Sequence, residues 1–333
     1  MRSRRMRAIW GVVSAAGILG LAALAEAQVT ADQVLAESGL SEEDKQRVLK
    51  GEFVTADAKA VSDRDLAVSI VFLVKTSPEA LSKQVLSGSL VTASKDVRAY
   101  ALFKNPGSVA DLAGLRITAD EAKALAAAKP GSKFNLSAAE IAAFNGRPTA
   151  NPEAVQAELH QMLLRRLQAY RASGLAGIAP YDRGGSTEMN VAPDLRKAGE
   201  AARVLQKHLP KFHAVLVDYP KGAGPEYQEN FIWQKSIVDG KPTYVLQHTL
   251  AAADGAARAM AQRQYYVSGS YNGQQAVAGF LPVQGGTLVV YSSHAFTEQV
   301  AGVGSSMKRG IGSRMMATQL KQMFEAGRTK VAQ

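Results

Sequence analysis

The chain contains no cysteine. That absence excludes disulfides, a lipid-modified N-terminal cysteine, thiolate metal sites and a cysteine nucleophile, so burial of apolar surface must hold the fold together. Histidine is scarce as well. The five histidines, His160, His208, His213, His248 and His294, have no His-Glu-x-x-His form or other close ligand spacing, so no metal and no cofactor is expected. Two further motifs are missing: no Gly-x-Ser-x-Gly elbow follows a strand pattern, and Gly-x-x-Gly fragments such as Gly174 to Gly177 lack the glycine-rich nucleotide signature. No catalytic residue is assigned, and a non-enzymatic role is expected.

Acidic residues are in deficit, with 29 Asp and Glu against 39 Lys and Arg, for a formal charge of +10. Four of those arginines, Arg2, Arg4, Arg5 and Arg7, precede a stretch from Ala8 to Ala25 that is apolar apart from Ser14. Ala25-Glu26-Ala27 then places small residues where a signal peptidase reads them. The expected mature start is Gln28, with a periplasmic or secreted location. Ser3-Arg4-Arg5 resembles a twin-arginine export signal, although Met6-Arg7-Ala8 departs from that pattern. Removing the leader takes away four arginines and Glu26 and leaves +7 on 306 residues, enough chain for a real hydrophobic core. Export makes nucleic acid a poor partner, whereas the basic balance fits an anionic membrane surface or an acidic envelope protein.

Regions of different texture follow. Thr30-x-x-Gln33 and Ser41-x-x-Asp44 open two short helices. A strand pair is expected next, from Glu52 to Ala58 and from Leu66 to Val74, and Ser77-Pro78-Glu79 starts a helix running to about Leu86. Residues 28–104 form the first part of the main domain, and residues 105–150 read as an insertion of short helices. Its capping boxes are Thr118-x-x-Glu121 and Ser137-x-x-Glu140.

Residues 151–330 are expected to hold two long helices, a sheet and a final helix. The first helix begins at Pro152 and ends at Gly174, with Leu159, Leu163, Leu167 and Tyr170 on one face and Arg165, Arg166 and Arg171 largely away from it. Gly177 to Asp194 reads as a loop. The second helix carries Leu195, Ala198, Leu205 and Phe212 in one continuous amphipathic pattern. From Phe231 the period changes to two. Strands are expected at Phe231–Val238, Thr243–Leu250, Arg263–Tyr271, Ala276–Leu281 and Thr287–Ser293, with Asn272-Gly273 the firmest hairpin turn. The final helix, from Ser305 or Ser306 to about Ala326, spreads Met307, Ile311, Met315, Met316, Leu320, Met323 and Phe324 over a wide arc. Such an arc needs a sheet, a groove or a membrane around it.

The fold class is therefore α+β, an antiparallel meander packed on a long C-terminal helix, with an additional helical layer. Early strands, the proline-started helix at Ser77-Pro78-Glu79, a late meander and a broad terminal helix resemble the START-like, or helix-grip, superfamily. The resemblance covers residues 52–90 and 228–326, and no short motif carries a functional residue. It implies a sheet folded around the terminal helix with an apolar cavity between them. Separately, Tyr170-Arg171-Ala172-Ser173-Gly174 through Ile178 to Arg183 is similar to a stretch of exported proteobacterial proteins, a similarity without assigned chemistry.

Alternation places aromatic and imidazole groups on strand faces. Trp233, Tyr244, His248, Tyr265, Tyr271 and His294 are the candidate ligand-binding residues, with Tyr181, Asp182 and Arg183 at a pocket mouth. The same strand residues equally suit a solid core. His248 and His294 are the two histidines expected on strands, and Asp218, Glu226 and Glu229 are acids just before the sheet. The expected function is binding of a hydrophobic or amphipathic small molecule, a lipid among the candidates. An envelope protein-interaction or scaffold module and an enzyme with an unidentified site are the alternatives.

Overall fold

Short polar residues set the helix starts. Thr30, Ser41, Ser77, Thr118 and Ser137 each accept a backbone N–H from the first turn through the side-chain oxygen, satisfying a donor that has no partner inside the helix. A computed structural model describes residues 30–88, 91, 94–147 and 151–331. The leader, the export motif and the cleavage position near Ala27 lie outside the described residues.

Eight strands form one open antiparallel sheet: β1 (Val54–Ala56), β2 (Asp65–Val74), β3 (Val97–Leu102), β6 (Gln228–Val238), β7 (Lys241–Asp254), β8 (Ala257–Val267), β9 (Gly273–Val283) and β10 (Gly286–Phe296). Their order is β1-β2-β10-β9-β8-β7-β6-β3, so the first long strand lies beside the last and the meander fills the space between β2 and β3. β4 (Tyr181–Gly184) and β5 (Thr187–Met189) make a separate hairpin.

Both faces of the sheet are covered. On one, Ile70 and Phe72 of β2, Phe280 of β9 and Val289 and Tyr291 of β10 pack against α3 (Pro78–Leu86) and α10 (Ser305–Val331). On the other, Phe231 and Trp233 of β6, Tyr244 and Leu246 of β7 and Tyr265 of β8 share a core with α4 (Ala119–Ala126), α5 (Ala138–Asn145) and α6 (Pro152–Ser173). α7 (Ala192–Glu200), α8 (Arg203–His208) and α9 (Pro210–Asp218) join that core. Near the β1–β2 edge, α1 (Ala31–Glu37) and α2 (Glu42–Leu49) cover Val71 and Leu288. The molecule is thus α+β, with the meander between two helical layers.

Several expectations are corrected. The second long helix is three helices: Leu209 sits at φ −134°, ψ 60°, because Pro210 disfavours the helical conformation in the residue before it and has no N–H to donate. The apolar spacing continues through the breaks, since Leu195, Leu205 and Phe212 still face one core. The stretch expected as a loop holds β4 and β5, turned by Gly184 and Ser186 at positive φ. β3 was not expected; its alternation is blurred because it is an edge strand with little buried surface. β8 begins at Ala257, since small alanines hide the strand period. Tyr271 lies beyond its end. The tight positive-φ turn is Asp239-Gly240, whereas Asn272 is buried in a longer connection and donates its N–H to the Phe296 carbonyl at 2.7 Å.

The largest correction concerns the terminal helix. The aromatic strand faces expected to look onto it point to the opposite side, toward α6. Where α10 meets the sheet, Phe324 packs on Phe72 with ring centroids 4.9 Å apart and edge-on to Tyr291, and Phe53 packs on Phe72 in turn. That interface is filled by side chains.

Candidate functional site

The expected site residues divide into three places. Trp233, Tyr244, His248 and Tyr265 share the core on the α6 side of the sheet. Trp233 donates its indole N–H to the Asp111 carbonyl at 2.7 Å, and Tyr244 lies fully buried with Lys235 Nζ 6.0 Å above its ring. Tyr265 stacks face to face on Tyr170, centroids 4.0 Å apart. Tyr271 is elsewhere, donating its hydroxyl to Gln264 Oε1 at 2.5 Å, with its phenol pKa pushed up by burial.

His294 and His248 are not neighbours, because β9 and β8 separate their strands. His294 Nδ1 instead lies 2.8 Å from Asp65 Oδ2, and the adjoining Arg64 pairs with Asp194 at 2.9 Å. The residues expected at a pocket mouth are closed into structure. Tyr181 donates its buried hydroxyl to the Asn272 carbonyl, and Asp182 Oδ1 accepts from the Gly184 N–H. Arg183 reaches Asn135, Asn272 and Glu298. Tyr181 and Arg183 thus fasten the β4–β5 hairpin to the connection between β8 and β9, while the Asp182 bond lies within the hairpin. Among the described residues no cluster of three or more His, Asp or Glu is arranged to hold a metal ion.

The strongest polar arrangement grows from His248. β7 directs its side chain inward, and α6 brings Tyr170 against it because the helix buries Leu159, Leu163, Leu167 and Tyr170 along one stripe. Gly174 ends α6 at φ +55°, and a Cβ there would overlap the Tyr219 carbonyl oxygen, so only glycine lets these two segments meet. The closeness pays off in stacking: Tyr170 lies 5.5 Å from Tyr219 and His248 is sandwiched between Phe231 and Tyr219, each 4.4 Å away.

A hydrogen-bond chain runs through these rings. Arg263 Nη1 donates to the Tyr170 hydroxyl at 3.0 Å, the hydroxyl meets His248 Nδ1 at 3.2 Å, and His248 Nε2 lies 3.1 Å from Glu229 Oε2. Arg263 also donates to the Leu216 carbonyl at 2.6 Å and to Gln275 Oε1 at 2.8 Å. Burial pushes the His248 pKa down to about 4 despite its carboxylate neighbour. The neutral ring therefore accepts from Tyr170 and donates to Glu229, and every donor points the same way. The donated His248 hydrogen bond holds the Glu229 pKa below the usual carboxylate range, with a further contribution from the Tyr219 hydroxyl.

Only the Glu229 end meets solvent. Its carboxylate is 35% exposed while His248 is 2% exposed. Glu229 lines an open cleft of about 320 Å³ with Ala223, Gly224, Pro225, Tyr227 and Leu250. The Glu226 carboxylate folds back against Gly224. A smaller depression of about 150 Å³ on the other side of this strand end is lined by Glu226, together with Glu79, Lys83, Gln228 and Arg258 among others.

The chain fixes charge better than it moves protons. Shifting a proton from Tyr170 toward Glu229 would leave a buried phenolate, and burial raises the Tyr170 pKa above its ordinary value. What the arrangement offers is a fixed anionic group at the floor of a partly apolar cleft. Sequence reading named His248, Glu226 and Glu229 but not their association. Tyr170 and Arg263 carried no signal of it, since one reads as a helix-face aromatic and the other as the start of a strand. No family model matches the chain, and neither does any curated protein or solved structure.

Proposed function

We propose that this chain is an exported, non-enzymatic binding protein for a small amphipathic molecule, held in the Glu229 cleft with a cationic head toward that carboxylate. The observation that carries this reading is the Glu229 carboxylate, charged and oriented by His248 beneath an otherwise largely apolar lining. Leu250, Pro225 and Tyr227 suit an apolar body, and Glu229 supplies the negative group. The volume is at the low end of small-molecule sites, which span about 300–1,000 Å³. An acidic cleft on a basic chain also focuses the local field on cations.

Export is supported by the basic segment, apolar stretch and small-residue motif of residues 2–27. The strand order, with the first long strand beside the last and the terminal helix across them, supports the helix-grip resemblance. In this reading the ligand cleft lies at the end of the sheet, since α10 fills the position a cavity would take.

Isothermal titration with octylammonium and octanoate tests the reading. Octylammonium is expected to bind and octanoate not to, and Glu229→Gln should weaken octylammonium by about tenfold or more. Equal binding of both ions, no binding of either, or an unchanged affinity in the Glu229→Gln variant would overturn it.

A further inference from the structure

We infer that α10 docks the protein on an anionic lipid leaflet through the face it turns away from the sheet. This surface is separate from the Glu229 cleft and does not depend on it. Leu320, Met316 and Phe324 face the sheet core. Met307, Ile311 and Met315 recur every four residues on the opposite side of the helix, and they are 74%, 48% and 62% exposed. Val303, in the turn leading into the helix, is exposed as well. Three large apolar side chains, preceded by Val303 in the turn, thus face outward on a helix whose other side is already packed.

Charge decides what they meet. No Asp or Glu occurs between Glu298 and Glu325, while Lys308, Arg309, Arg314 and Lys321 all fall in that stretch. Lys308 and Arg314 are exposed and adjoin the apolar row. An apolar stripe bordered by cations is the composition of a helix lying in a membrane interface, its apolar side chains among the acyl chains and its cations at lipid phosphates. A second copy of this chain is a poor occupant, because pairing through the stripe would bring Lys308 and Arg314 of both copies together. Among the described residues no helix is long and apolar enough to cross a membrane, so the contact is with the surface.

The test uses the chain from Gln28, which keeps every described element and removes the apolar Ala8–Ala25 stretch that would itself bind lipid. Cosedimentation is measured with vesicles of phosphatidylglycerol and phosphatidylethanolamine, and with phosphatidylcholine vesicles. Binding is expected to the anionic vesicles only, and to fade as salt screens the cations. A Met307→Ser, Ile311→Ser, Met315→Ser triple variant and a Lys308→Gln, Arg314→Gln double variant should each lower partitioning by about tenfold while leaving the urea midpoint unchanged. The inference fails if the protein ignores anionic vesicles or sediments equally with phosphatidylcholine. It also fails if both variants still bind, if their loss of binding accompanies a lowered midpoint, or if the stripe instead holds a dimer that the triple variant dissociates.

Discussion

His248 is neutral in the fold because taking it out of water costs its charged form more than Glu229 returns. Its folded pKa of about 4 lies below the ordinary 6.5, so between those values the unfolded chain takes up a proton that the fold excludes. The resulting stability is complete above about pH 6.5 and is lost as pH falls toward 4, roughly 3 kcal/mol in all. Urea midpoints measured from pH 7.5 to 4 should therefore decline through that window, and His248→Gln should flatten most of the slope. His160, whose pKa burial also lowers, accounts for a remainder of the same sign. Alternation in the strand sequence marks His248 as inward-facing. It does not identify Tyr170, 78 residues earlier on another element, as the partner of its Nδ1. That pairing arises from packing, and hydrogen-bond partners at such separation leave no local pattern.

At the scale of elements, α10 shows how one apolar helix serves two surroundings. Its sheet side is structural: Phe324→Ala removes a ring that packs on Phe72 and Tyr291 and should cost about 3 kcal/mol in urea unfolding. Its outward side is not, and Met315→Ala should change stability by less than about 0.5 kcal/mol. A cost for Met315→Ala comparable to that for Phe324→Ala would mean that the helix is embraced on both sides. Helix starts were legible because a capping side chain acts within three residues. Interruptions in α7–α9 were less legible, because the apolar spacing continues through Leu209 and Pro210 while the backbone does not. Arg166 illustrates the same limit. Expected largely away from the apolar face, it is buried against Tyr266 with its guanidinium on both Glu140 oxygens, a partner that α5 supplies.

For the whole molecule, the sheet is the shared wall of two cores, one with α3 and α10 and one with α4–α9. Both helical layers pack on this one large sheet, so the two should unfold together. Trp233 is the only tryptophan after the leader and lies on the α6 side, which makes it a reporter for the far core. Phe324→Ala, on the opposite face, should lower the midpoint seen by Trp233 fluorescence as much as the one seen by far-ultraviolet circular dichroism; separate transitions would show that the layers are independent. The amino-acid sequence by itself determined the α+β class, most helix starts and the late antiparallel strands, because caps and periodicity act over a few residues. Only the tertiary structure decided which sheet face each helix covers, that the aromatic faces meet α6, and that Glu229, His248, Tyr170 and Arg263 form one chain. Those outcomes depend on how two covered faces are shared among distant segments, and a period of two reports that a side chain points inward without saying what awaits it there.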